Sequence, residues 1–172
     1  MNEKNGFTLV ELMITLAIAA ILLTVGIPNF RNFIYNNRLI TQANKLVADA
    51  ALARSTAIKY QRNTQICVST SYNTVAPACT GGLDWGAGWI VWVDKDRDNL
   101  VDAATEVIRV SEPVSGTTTF TSGAQSAFTY NSRGFVDTGD TLTLCDDRTG
   151  ETGRNITIQP SGHLNITQPA CP

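Results

Sequence analysis

The chain has 172 residues, 13 basic and 15 acidic side chains, one histidine, four cysteines and a formal net charge of −2, which suits one domain or one domain with an appendage. Its hydrophobic share of 43% supports a real core, while its charged share of 16% falls below the roughly 25% of ordinary soluble domains, so part of the chain is expected to avoid water. The near-neutral balance argues against a general nucleic-acid binder, the lone His163 excludes a histidine-rich metal site, and aromatic and β-branched residues throughout exclude extended disorder.

Residues 1–6 are polar and include Glu3 and Lys4. Positions 7–27 are almost continuously apolar, broken only by Glu11, Gly26 and the threonines Thr8, Thr15 and Thr24. About 21 residues at ~1.5 Å each span roughly 30 Å, the hydrocarbon thickness of a bilayer. A secretory signal peptide would be followed by small residues in an A-x-A pattern, which Gly26-Ile27-Pro28-Asn29-Phe30 fits poorly. A buried core helix is not usually so apolar all round. The segment is read as a membrane-inserted helix. Glu11 is its odd residue, because a carboxylate there costs roughly 2.5–3.5 kcal/mol on insertion scales and is functional by default. No Lys or Arg lies between Phe7 and Pro28 to neutralise it. Cleavage after Gly6 would give Phe7 a free α-amino group four residues from Glu11, close to one helical face, in the same molecule or offered to a neighbour. The alternative is a glutamate held at the headgroup level where the helix enters the membrane.

Gly6-Phe7-Thr8-Leu9-Val10-Glu11-Leu12 resembles the class III leader junction of type IV pilins and type II secretion pseudopilins. The resemblance implies cleavage after Gly6 by a prepilin peptidase on the cytoplasmic side, and N-methylation of Phe7. It implies that Glu11 pairs with the amino terminus of an adjacent subunit during filament assembly. Ile27-Pro28-Asn29-Phe30 is similar to the family's proline position, where the helix kinks or locally melts.

Pro28 donates no helical hydrogen bond and disfavours αR at Ile27, so a kink is expected, after which the helix resumes. Phe33, Ile40, Ala43, Val47, Ala50 and Ala57 recur at steps of seven, three and four, an amphipathic stripe. One long kinked helix over about 7–58 results, roughly 75 Å if unbroken. After Arg62, strands are predicted over 64–69, 88–94, 106–111, 117–121, 127–131, 141–145, 154–159 and 163–167, where Val, Ile, Thr and aromatic residues alternate with turn residues. The fold class is α+β: a long kinked N-terminal helix packed on an antiparallel β-sheet head. The organisation is a leader over 1–6, a transmembrane and assembly helix over 7–28, an amphipathic helix over 29–62 and a β-rich periplasmic head over 63–172. Gly88-Trp89-Ile90-Val91-Trp92-Val93-Asp94 with its Asp/Asn-rich turn, and Gly153-Arg154-Asn155-Ile156-Thr157-Ile158 before Ser161-Gly162, resemble the minor pilin and minor pseudopilin branch of GspH/FimT/FimU type.

Four cysteines allow three pairings. The sequential one, in which Cys67–Cys79 flanks a loop and Cys145–Cys171 ties down the tail, is preferred and fits an oxidising envelope compartment. No C-x-x-C spacing supports a redox or zinc site. Asp94-Lys95-Asp96-Arg97-Asp98-Asn99 starts like an EF-hand calcium loop, with Asp94, Asp96 and Asp98 as candidate ligands and Asp102 as a possible extra oxygen. The match then fails, since Asn99 replaces the loop glycine, Thr105 holds the twelfth position and Glu106 comes one residue late; the alternative is a hairpin turn with solvated acids. No other cofactor is expected. Positions 31–62 hold six basic residues and Asp49 alone as an acid, while 63–172 hold six basic and twelve acidic residues. Arg31, Arg38 and Lys45 repeat every seven residues, suited to anionic headgroups or acidic heads, or simply a solvated face.

The leading reading is a filament subunit, not an enzyme, because no nucleophile–base pair emerges from spacing and His163 reads as a surface strand residue. It is anchored in the bacterial inner membrane by a single pass, its head is periplasmic, and its partners are the prepilin peptidase and other minor and major pilins or pseudopilins. Resemblance to FimU implies a minor pilin that primes a type IV pilus near its tip; resemblance to GspH implies the corresponding role in a type II secretion pseudopilus. FimT-like relatives imply DNA binding through a Gly-Arg-x-Arg pattern. The counterpart here, Gly162-His163-Leu164-Asn165, lacks both arginines, which leaves Arg148 and Arg154 as the candidate phosphate contacts near Asp146, Asp147 and Glu151.

Overall fold

The computed structural model describes residues 6–102, 105–148, 150 and 152–171; all of the expected leader over 1–6 but Gly6 lies outside them. Helix α1 (Leu9–Tyr60) is followed by β1 (Thr64–Val68), a short 3-10 turn (Trp85–Ala87), β2 (Trp89–Val93), β3 (Val107–Ser111), β4 (Thr119–Ser122), β5 (Ala127–Tyr130), β6 (Asp140–Cys145), β7 (Arg154–Ile158) and β8 (Leu164–Thr167). The chain forms two compact units, Met1–Arg38 and Leu39–Pro172.

In the first unit the backbone stays helical through Pro28, so no melted stretch interrupts it. The apolar run tolerates its threonines because their hydroxyls bond back to the helix: Thr15 Oγ1 donates to Leu12 O at 2.9 Å and Thr24 Oγ1 to Ile21 O at 2.8 Å. Every large hydrophobic side chain from Phe7 to Ile34 is exposed.

The second unit holds the core. All sheet pairings are antiparallel, but there are two four-stranded sheets, ordered β3-β2-β1-β5 and β4-β6-β7-β8, rather than one. Helix residues Leu39, Ala43, Leu46, Ala50, Ala53 and Ala57 recur at steps of four and three and are all buried. They join Ile66, Trp89, Val91 and Phe128 of the first sheet and Phe120, Leu142, Leu144 and Ile156 of the second in one cluster. The predicted stripe therefore lies turned from the true one: Ile40 is exposed and Val47 only half-buried, while Leu39, Leu46 and Ala53 face inward. A smaller cluster of Cys67, Ile90 and Trp92 fills the opposite face of the first sheet, against Tyr72, Cys79 and Val101.

Each tryptophan N–H in this fold finds an acceptor, as a buried indole requires. Trp85 Nε1 donates to Gln125 O at 3.0 Å, Trp89 Nε1 to Asp49 Oδ2 at 2.9 Å and Trp92 Nε1 to Gln65 Oε1 at 3.2 Å. Near the loop after β4, Asp140 accepts bonds from Ser122 Oγ and the backbone N–H groups of Ala124, Gln125 and Thr141. Partial burial alone would push its pKa up, but those donors together hold it below the usual carboxylate value.

Candidate functional site

The start of α1 is the first site. Thr8 is its N-cap and Glu11 its third residue. Thr8 N donates to Glu11 Oε2 at 2.9 Å and Thr8 Oγ1 to the same oxygen at 2.8 Å, while Glu11 N donates to Thr8 Oγ1 at 3.2 Å. This is a reciprocal capping box, which satisfies backbone donors that every helix start leaves open. The Thr-x-x-Glu spacing was legible in the sequence, yet reading Glu11 as an acid in need of an amine, or as one held at the headgroup level, overlooked it. Both bonds land on Oε2; Oε1 has no hydrogen-bond donor among the described residues. Gly6 and Phe7 are exposed just ahead of the cap, and an added Cβ at Gly6 would meet nothing within 4 Å. An 18-residue window of α1 reaches a mean hydropathy of 2.4 with none of it buried, so the helix is long and apolar enough to cross a membrane.

The second site lies in the head and was not foreseen. Asp49 is 2% exposed on the buried face of α1. Its Oδ2 accepts from Trp89 Nε1 at 2.9 Å and from Ser111 Oγ at 2.7 Å, and its Oδ1 lies 3.7 Å from Arg109 Nη1. One carboxylate thus binds the helix to β2 and β3. Lys45, one turn earlier, sits over the Trp89 ring at 5.2 Å and donates to Glu112 O at 3.5 Å. Lys45 is therefore engaged with the head, not part of a solvated basic row. Arg38, in the other unit, lies over Tyr35 with its guanidinium carbon 5.7 Å from the ring centre.

Cys67 is bonded to Cys79 and Cys145 to Cys171. The first bridge closes the loop that covers the outer face of the first sheet; the second ties the tail beside β6. The Cys79 sulfur carries no proton and only touches Gln65 Oε1 at 3.2 Å.

In the aspartate turn, carboxylate oxygens of Asp94, Asp96 and Glu106 lie within 4.8 Å of one another, and Asp98 does not join them. Glu106, one residue too late for an EF-hand, is the residue the motif misplaced. Each of these groups already serves the backbone: Asp94 Oδ1 accepts from Arg97 N at 2.8 Å, Asp96 Oδ1 from Asp98 N at 3.2 Å, Asp98 Oδ1 from Leu100 N at 2.7 Å, and Glu106 Oε1 and Oε2 from Lys95 N and Asp102 N at 2.5 and 3.2 Å. Those bonds suffice to build the turn.

The candidate phosphate contacts face inward. Arg148 pairs with Asp146 at 2.7 Å, with side chains 13% and 2% exposed. Arg154 is 9% exposed and gives its Nη1 to Thr152 O and Gly153 O at 3.3 and 2.7 Å. A phosphate would have to displace a buried carboxylate and two backbone carbonyls, so these two arginines form no basic surface. Glu151 lies outside the described residues.

Residues 1–27 match the family described as Prokaryotic N-terminal methylation motif, and residues 42–162 match the family described as Type II transport protein GspH. The chain is 30% identical over 156 residues to Fimbrial protein Q of Moraxella bovis, covering 81% of this chain and 98% of that one. It is 29% identical over 157 residues to the type IV major alpha-pilin of the same organism, with 81% and 98% covered. The crystal structure of the type IV minor pilin FimU of Pseudomonas aeruginosa resembles it with a TM-score of 0.60 at 21% identity, over 81% of this chain and 99% of that chain, a likeness that speaks for the fold.

Proposed function

The chain belongs to the GspH/FimU type of type IV minor pilins and pseudopilins, and on that premise we propose that it is a minor pilin that helps to start a type IV pilus and stays near its tip. The observation that carries this reading is the helix start: one acid, whose Oε1 takes no hydrogen bond among the described residues, heads a run of exposed apolar side chains. Prepilin peptidase cuts between Gly6 and Phe7, and the new amine of Phe7 is methylated. The helix anchors the subunit in the inner membrane by a single pass, with the head on the periplasmic side. Thr8 keeps Oε2 of Glu11 occupied, which holds the carboxylate at a fixed height on the shaft and offers Oε1 to the Phe7 amine of a neighbouring subunit. An isolated carboxylate in an apolar bundle is costly, so subunits in wrong register are penalised. Shaft packing supplies the remaining drive once the apolar faces leave lipid for one another.

A type II secretion pseudopilus is the second reading, favoured by the match to the secretion family over residues 42–162. Deleting the gene separates the two. Loss of surface filaments with secreted enzymes still exported supports the pilus, and the reverse supports the pseudopilus. Glu11→Ala should permit membrane insertion and lower recovery in sheared filaments; equal recovery of variant and wild type counts against the pairing role.

A further inference from the structure

At the far end of α1 the chain builds a cavity that assembly through the shaft does not use. Gln61, with φ 53°, ends the helix in a left-handed turn, and Arg62 N donates back to Ala57 O at 3.2 Å, a Schellman closure. The closure brings Arg62 to the aspartate turn, where its Nε donates to Lys95 O at 3.4 Å. In that turn Arg97 and Asn99 are also left-handed, with φ 73° and 59°. Asparagine adopts this conformation readily, arginine seldom. These three are the non-glycine residues with positive φ among the described residues, and all of them line one cavity of about 210 Å³.

The polar groups in this cavity are largely uncommitted. The Arg97 guanidinium, the Asn63 and Asn99 amides and the Ser132 hydroxyl line it and make no hydrogen bond or ion pair among the described residues. Asp94, also in the lining, is 4% exposed. Its Oδ1 accepts from Arg97 N at 2.8 Å, whereas its Oδ2 accepts no hydrogen bond among the described residues and stays within reach of solvent. No salt bridge joins Asp94 to Arg62 or Arg97. A lone anion here meets Asp94 and also Asp96 and Glu106, whose carboxylate oxygens lie within 4.8 Å of it. A lone cation meets two guanidinium groups. The arrangement complements a ligand that carries both charges close together. An ammonium supplies the donor that Asp94 Oδ2 lacks, and a carboxylate takes N–H groups from Arg97, Arg62 and the amides. At roughly 30 Å³ per water-sized group, the cavity holds about seven heavy atoms, the size of glycine, alanine or serine.

We propose that this cavity binds a small free α-amino acid as its zwitterion, the ammonium on Asp94 and the carboxylate on Arg97 and Arg62. The site lies in the head and stands apart from the choice between pilus and pseudopilus, so it is tested without a filament. The full chain, labelled with nitrogen-15 and held in nonionic maltoside micelles, is titrated with glycine, L-alanine or L-serine and read by NMR at the Asn63 and Asn99 side-chain amides. At least one of the three shifts those signals to saturation. Propionate, which lacks alanine's ammonium, and ethylammonium, which lacks its carboxylate, bind about tenfold more weakly or worse. These analogues use the wild type and need no variant. Arg97→Gln and Asp94→Asn each weaken amino-acid binding about tenfold or more, and the new asparagine still accepts from Arg97 N, which preserves the turn. Arg133→Gln, at an exposed arginine outside the lining, leaves the affinity unchanged. The backbone amide spectrum checks that each variant is folded. The proposal is overturned if none of the three amino acids shifts the Asn63 and Asn99 signals, or if propionate, ethylammonium or calcium chloride alone reproduces the shifts at the same concentration. It is equally overturned if the folded Arg97 and Asp94 variants bind as the wild type does, or if Arg133→Gln weakens binding as much as they do.

Discussion

From Phe7 to Ile34 the helix exposes every large hydrophobic side chain it has, whereas from Leu39 onward it buries two leucines and a line of alanines against two sheets. The first stretch is apolar all round and has no protein of its own to cover it; it requires lipid or other shafts. The second has one inward face of mostly small residues, and the acid it buries there, Asp49, is fully engaged. The difference teaches that hydrophobic content alone does not say what a helix will bury. The distribution around the axis, and the partners offered to each polar group, decide it.

The largest effect is expected in the first stretch. Gly6→Ala should leave an unprocessed, membrane-held precursor, seen as a slower band on a gel; normal processing would contradict the leader assignment. In the head, Asp49→Ala strands the Trp89 indole and the Ser111 hydroxyl and should cost about 2–5 kcal/mol in denaturant unfolding, with membrane insertion untouched. A loss below ~0.5 kcal/mol, the scale of an ordinary surface substitution, would show that the carboxylate does not tie helix to sheets. Cys145→Ser with Cys171→Ser should cost about 2–4 kcal/mol by freeing the tail in the unfolded chain.

The pH response sharpens the contrast further, because buried titrating groups belong to the head. Burial pushes the Tyr130 hydroxyl from 10.0 up to about 12, with Arg54 opposing it. The unfolded chain then gives up this proton first, so the stability it contributes is intact below pH 10 and disappears as pH rises toward 12, about 2–3 kcal/mol in all. Tyr130→Phe should flatten that part of the alkaline stability curve; an unchanged slope would refute the assignment. Asp140 acts in the opposite direction: its pKa is lowered, so its stabilisation is present at neutral pH and lost as pH falls through the lowered value. The smallest effect returns to the helix start, where Thr8→Ala should cost about 0.5–2 kcal/mol of helix stability, read as fraying of the first turn by amide exchange.

Much of this contrast was legible in the sequence. The eight strands fall within a few residues of the β-branched runs between turn residues, because those runs are local. Their division into two sheets was not, since β4 follows β3 in the chain but pairs with β6, a non-local choice no local pattern encodes. The helical stripe was half right: Ala43, Ala50 and Ala57 are buried, but Ile40 is exposed, and the buried Asp49 was missed because Trp89 and Ser111, which satisfy it, come from distant strands. Arg148 and Arg154 were read as candidate phosphate contacts although their partners, Asp146 and the carbonyls of Thr152 and Gly153, lie within two residues of them; what the sequence did not disclose is that these groups are buried together. The 3-10 turn at Trp85 is only three residues long, capped by Gly86 N donating to Asp84 Oδ1 and closed by Ala87 N to Asp84 O and Gly88 N to Trp85 O, too short to leave a periodic pattern.

The central claim is that the apolar shaft remains part of the mature subunit and is trimmed only at its tip. Intact mass spectrometry of the chain recovered from membranes and from sheared filaments tests it most directly. The expected mass is that of a polypeptide beginning at Phe7 with one added methyl group and both disulfides formed. A chain that begins beyond Ile27, or that still carries Met1, would contradict the account.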